Sequence, residues 1–196
     1  LWIPAEHFIE DAHADRAMNA ACEALEYAAE VVALVSSGRR AVVSLALPAR
    51  DESNGELVEA AARQIGECAQ RVGAVVADFQ WPPDARSMGE PIGVGIDPAA
   101  VIAEGVTSAA KAASRMGERL AAARLTDLSS AGMRVEPGAG GGKRGRLDVM
   151  AYMVALATAG YDGFVVVDLR GVADAVHAAA RCAGLGAIGG MGGLAG

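Results

Sequence analysis

Five short apolar stretches alternate with helical ones along the chain, and this order constrains the fold more than any other feature. The stretches are AVVSLAL (41–47), GAVVADFQ (73–80), IGVGID (92–97), AAARLTD (121–127) and FVVVDL (164–169). Between them lie segments with apolar residues at spacings of three and four. Strands that alternate with helices predict a parallel sheet with helical crossovers. Strands that are apolar along their whole length predict a sheet covered on both faces. Three of the five end at or near an aspartate: Asp97, Asp127 and Asp168. The C-terminal ends of parallel strands are where barrels and open α/β sheets carry their chemistry.

The helical segments are read from their stripes and stops. The first runs over 13–36, with Ala17, Ala21, Ala24, Ala28, Val31 and Val35 on one face and Gly38 as its stop. The second runs over 56–72, with Val58, Ala61, Ile65, Cys68 and Val72 inward. Pro98 suits the first position of a helix. A further helix is expected over 107–121, facing Ala109, Ala113, Met116 and Leu120 inward, another over 147–159 stopping at Gly160, and a last over 172–183. Residues 1–183 read as one domain, and the glycine-rich 184–196 as a fraying tail. The chain begins at Leu1 rather than Met, as a fragment or a processed product does.

The net charge of −7, with no long run of Lys and Arg, argues against a nucleic-acid-binding face. No apolar run reaches the roughly 18 residues of a membrane span, and no basic segment followed by an apolar one marks a signal peptide. Cys22, Cys68 and Cys182 are odd in number, far apart and each within a helical pattern. They read as three small buried thiols in a reducing compartment, so a cytoplasmic location is expected.

Several of these stretches resemble the xylose isomerase-like (β/α)8 barrels, the sugar phosphate isomerases and epimerases. AGYDGFVVVDL resembles that family's final strand and its lead-in. IGVGIDPAAVIAEG resembles the sixth strand and its turn, RLAAARLTD the seventh, and HADRAMNAACEALEYAA the helix before the fourth. The resemblance implies a partial barrel whose five strands are the family's fourth to eighth, without the first two and most of the third. Five strands do not close a barrel, and open edges invite pairing, so self-association is expected.

The family's reaction moves a proton between adjacent sugar carbons through an enediolate, with two carboxylates as base and acid and a divalent metal, such as manganese or magnesium, on the oxyanion. Carried over, the resemblance implies Asp168 and Asp78 as the proton-transfer pair, and Asp97 and Asp168 as metal ligands. The substrate would be a sugar, sugar phosphate or small keto acid. Two positions depart from the pattern: Ala100 stands where the family often has His, and Arg124 where it has a ligand. A guanidinium repels a metal but suits a phosphate or carboxylate, so Arg124 is a candidate substrate contact; Lys143 in the glycine loop and Asp127 at the seventh strand's end are others. The alternative is a degenerate barrel that binds a small anion or a partner and does no chemistry.

Other readings stay open beside these. Asp97 before Pro98 also suits a helix N-cap. Asp168 among valines also suits a buried ion pair with Arg124, and Asp127 a capping role. His7, Glu10 and His13, following the third strand on the site face, have spacings that bring three ligands to one metal, or they are loop and cap residues. Gly140, Gly142 and Gly145 fit G-x-G-x-x-G, but MRVEPG before them is a poor strand. The loop reads as solvated, with Lys143, Arg144 and Arg146 available to an anion. His177 is expected on a helix surface.

Overall fold

A computed structural model describes residues 3–35, 38–83, 90–138 and 146–183. The five expected strands are β1 (Val42–Leu45), β2 (Val75–Asp78), β3 (Ile92–Ile96), β4 (Leu120–Leu125) and β7 (Val165–Val167), in that order in one sheet. Two short strands, β5 (Asp127–Leu128) and β6 (Arg134–Val135), pair antiparallel with each other. The six helices among the described residues are α1 (Ala14–Leu34), α2 (Gly55–Val72), α3 (Pro98–Glu104), α4 (Ala109–Met116), α5 (Val149–Thr158) and α6 (Ala175–Cys182). Parallel strands alternating with helices make this a partial (β/α)8 barrel. The chain falls into two compact units, Leu1–Gly95 with Arg119–Ala122, and Ile96–Glu118 with Ala123–Gly196.

In the first unit, β1 and β2 run parallel with Val42 opposite Val75, and β2 pairs with β3 with Val76 opposite Ile92. Helices α1 and α2 bury Met18, Ala21, Leu25, Ala61, Ile65 and Ala69 against Leu47, Val76 and Ile92. The α2 face is the expected one. That of α1 is rotated toward Met18 and Leu25, and its last turn runs past the core, leaving Val31, Leu34 and Val35 exposed. The packed faces of α1 and α2 bring Cys22 and Cys68 to a Cα separation of 5.6 Å, where they form a disulfide. The expectation of three thiols therefore holds for Cys182, which is free and buried, and fails for the other two.

In the second unit, α5 is capped by Asp148, whose side chain accepts from the Ala151 N–H at 2.9 Å, and is followed by Gly160, where φ is +80°. A left-handed residue after a helix is the usual place for glycine. The turn that follows is a clasp. The Tyr161 hydroxyl donates to the Phe164 carbonyl at 2.8 Å and accepts from the Ala123 N–H at 3.2 Å, tying β7 to β4. Gly163 is required beneath that ring, because a Cβ there would sit 2.4 Å from the Tyr161 oxygen.

The helix expected over 107–121 is shorter than its apolar pattern. It ends at Met116, a 3-10 turn covers Gly117–Arg119, and Leu120 already belongs to β4. The sheet claims the segment because β4 must run from Leu120 to pair Ala123, Arg124 and Leu125 with β7. Coverage on both faces holds for β2 and β3, which are buried throughout, but not for the outer strands β1 and β7. Among the described residues, no helix is long and apolar enough to cross a membrane. The tail 184–196 lies outside them.

Candidate anion-binding site at the strand ends

Asp97 follows β3 and opens α3. One of its carboxylate oxygens, Oδ1, accepts from the Ala99 N–H at 2.9 Å and from the Thr126 hydroxyl, which itself accepts from Ala99 N–H at 3.1 Å. The other, Oδ2, accepts from Arg134 Nη2 at 2.8 Å. Asp97 thus fills the capping role with one oxygen and presents the second to a guanidinium. The side chain is only 6% exposed.

Asp168 follows β7, and its N–H donates to the Leu125 carbonyl at 3.2 Å, which carries the strand pairing one step past β7. Its Oδ1 accepts from the Arg170 N–H at 3.1 Å and from Arg170 Nε at 2.8 Å. Its Oδ2 accepts from Arg170 Nη2 and, at 3.4 Å, from Arg134 Nη1. The Arg170 hydrogen bond is the main reason the Asp168 carboxyl is lowered to about 2, against the opposing effect of burial.

Arg124, on β4, completes the group. Its Nη1 lies 3.8 Å from Asp97 Oδ2 and its Nε 3.8 Å from Asp168 Oδ2. Burial, and then the charge of Arg170, lower its pKa from the ordinary guanidinium value. The Tyr152 side chain on α5 is fully buried, and burial, reinforced by the charge of Asp97, pushes its phenol well above 10. Three guanidiniums thus face two buried carboxylates. The most exposed of the three is Arg170, at 58%.

The sequence reading anticipated Asp97, Asp168 and Arg124 here, and the expected Arg124–Asp168 contact is present. It missed Arg134, Arg170 and Thr126. Arg170 stands two residues after Asp168, a spacing that was available as a signal. Arg134 carries no such signal, because MRVEPG is a poor strand by composition, yet it lies in β6 and its side chain reaches both aspartates.

The other candidates have other partners. Asp127 is fully buried, and its Oδ1 accepts from the N–H groups of Leu128, Arg146 and Leu147 at 2.7, 2.8 and 2.9 Å. It is a staple for the chain entering α5, with no surface for a substrate. Arg146 donates from Nη2 to the Ile102 carbonyl at 2.9 Å. Asp78 belongs to the first unit and is 1% exposed, and its Oδ1 accepts from Leu47 N–H and Gln80 N–H, both at 3.0 Å, as a clasp between strand ends. His177 is exposed on α6 and pairs with Asp174 at 2.8 Å. Lys143, Arg144 and the glycine loop lie outside the described residues.

The donor set does not fit the expected manganese or magnesium ion. Hard cations take several oxygens at close range, and the two aspartate oxygens that face one another are bridged by Arg134. A cation between Asp97 and Asp168 would have to displace that guanidinium and sit against two more.

No family model and no curated protein matches the sequence. Solved structures do match the fold. A crystal structure of a xylose isomerase domain protein from Planctomyces limnophilus superposes with a TM-score of 0.65 at 16% identity, over 94% of this chain and 68% of that one. A structure of L-ribulose 3-epimerase superposes with a TM-score of 0.59 at 17% identity, over 85% of this chain and 59% of that one. The chain has the fold of the xylose isomerase-like TIM barrels, in the form of five parallel strands alternating with helices.

Proposed function

We propose that the second unit binds a small anionic sugar derivative or keto acid at Arg124, Arg134 and Arg170. The observation that carries this reading is the convergence of three guanidiniums on two carboxylates, with Arg170 the most exposed of the three. A guanidinium fork matches the geometry of a phosphate or carboxylate, and its planar donors suit two acceptors at once. The ligand's anionic group competes with Asp168 for Arg170, and its hydroxyls meet the donors of Arg134.

A second reading, isomerase or epimerase chemistry on the same ligand, is favoured by the meeting of Asp97 and Asp168 on one guanidinium, in a fold shared with a structure named as an epimerase. In it a carboxylate takes the proton from the carbon beside the carbonyl. An arginine stabilises the enediolate oxyanion; a proton delivered to the opposite face of the same carbon gives the epimer, and one delivered to the neighbouring carbon, with the hydroxyl proton passing to the former carbonyl oxygen, gives the isomer. While Arg170 holds it, Asp168 is a weak base, so this chemistry requires the ligand to draw Arg170 away.

Two measurements test the readings together. Titration calorimetry with sugar phosphates, sugar acids and inorganic phosphate should give saturable binding that Arg170→Ala and Arg134→Ala weaken. Nuclear magnetic resonance in deuterium oxide then reports whether deuterium enters the ligand beside its carbonyl. Incorporation that Asp168→Asn abolishes establishes the isomerase reading, and binding without incorporation leaves a binding module. Failure of every anion to bind overturns the site.

A further inference from the structure

We propose that His7, Glu10 and His13, in the first unit, bind one divalent transition-metal ion of the zinc, nickel or cobalt kind. They share no residue with the arginine cluster. The backbone sets them up locally. A 3-10 turn covers Ala5–Phe8, and a second turn follows in which the N–H groups of His13 and Ala14 both donate to the Glu10 carbonyl at 2.8 Å. Residues three apart on such tight turns eclipse one another, so the three side chains come to one side. Phe8, between the first two, is 3% exposed in the core, and Ile3 and Ile9 pack against the same core. The segment that bears the ligands is therefore held in place.

The side chains have already converged. The imidazoles of His7 and His13 stack with centroids 4.5 Å apart, and His7 Nε2 lies 4.0 Å from Glu10 Oε2. One ligand atom from each residue lies within 4.8 Å of the other two. Tetrahedral zinc, with bonds of about 2.0–2.1 Å, needs its ligand atoms roughly 3.3–3.4 Å apart. The remaining closure is about 1.5 Å at most and needs only side-chain rotation, which the 48% exposure of the Glu10 side chain permits. The competing assignment, a capping histidine, does not describe His13. It occupies the N-cap position of α1, but its side chain makes no capping hydrogen bond.

Two imidazoles and one carboxylate are a borderline donor set, which prefers zinc, nickel, cobalt or copper to magnesium or manganese. Three protein ligands leave a coordination position for water or another ligand.

The test is calorimetric titration of zinc into the whole chain, with the visible absorption of cobalt as a second readout. One ion per chain should bind. His7→Gln and His13→Gln should each weaken binding by at least about tenfold, and Glu10→Gln should weaken it too, with unchanged circular dichroism. Asp168→Asn should leave zinc binding unaltered, so the outcome here is independent of that at the arginine cluster. The absence of saturable zinc binding overturns the proposal, as does zinc binding that survives both histidine substitutions.

Discussion

Asp97 and Asp168, separated in sequence by three α-helices, the strands β4 and β7 and the β5–β6 hairpin, are joined by one side chain. Arg134 donates to Oδ2 of the first at 2.8 Å and to Oδ2 of the second at 3.4 Å. The guanidinium occupies the bridging position that a divalent cation would take between the two carboxylates.

Arg134→Ala should therefore destabilise the fold by about 1–3 kcal/mol, because hydrogen bonds to charged groups are lost and two buried carboxylates keep fewer counter-charges. Arg134→Lys should recover part of this at most, since a single ammonium does not reproduce the planar fork. Urea unfolding of the three proteins measures it. If alanine unfolds at the wild-type midpoint, the bridge is not a stabilising element.

The low pKa of Asp168 has a definite sign in stability. A carboxyl whose folded pKa lies below its unfolded value near 4 adds stability that is fully present above about pH 4 and is lost as pH falls toward about 2. Thermal unfolding from pH 6 to pH 2 should show the wild type losing stability through that window more steeply than Asp168→Asn. Parallel curves would place the acid sensitivity on other carboxylates.

The Cys22–Cys68 disulfide closes a 46-residue separation across the packed faces of α1 and α2. In the chain-entropy model a loop of that size is worth about 4 kcal/mol. Reduction, or Cys22→Ser, should lower the urea midpoint with the fold retained, and mass spectrometry of the unreduced chain should show two hydrogens fewer than the all-thiol mass. An all-thiol mass after expression in an oxidising compartment would contradict the bridge.

On the outer strand β7 Val166 is 57% exposed, and Phe164, just before it, is 77% exposed. Exposed apolar residues on an edge strand favour pairing between chains. Sedimentation velocity should show association that rises with concentration and that Val166→Lys, with Phe164→Lys, reduces. A monomer at all concentrations would mean the edge is not used.

Much of the architecture was legible in the sequence. The five strands, the stop at Gly160 and the fitness of Asp97 for a helix cap all rest on patterns a few residues long. Apolar periodicity, a proline at the first turn and a glycine after the last act between near neighbours, so they are present in the string itself. Placing an aspartate at a strand end follows from the same patterns.

What those aspartates do was decided only by packing. Asp127 and Asp168 look alike in sequence, each at the end of an apolar strand. One folds under three backbone N–H groups, and the other meets three arginines. Arg134 reaches Asp168 across 34 residues and Asp97 across 37, and Cys22 meets Cys68 across 46. Such partnerships depend on where β6 pairs and which faces of α1 and α2 touch. No local periodicity encodes that, because it is set by the summed packing of many side chains.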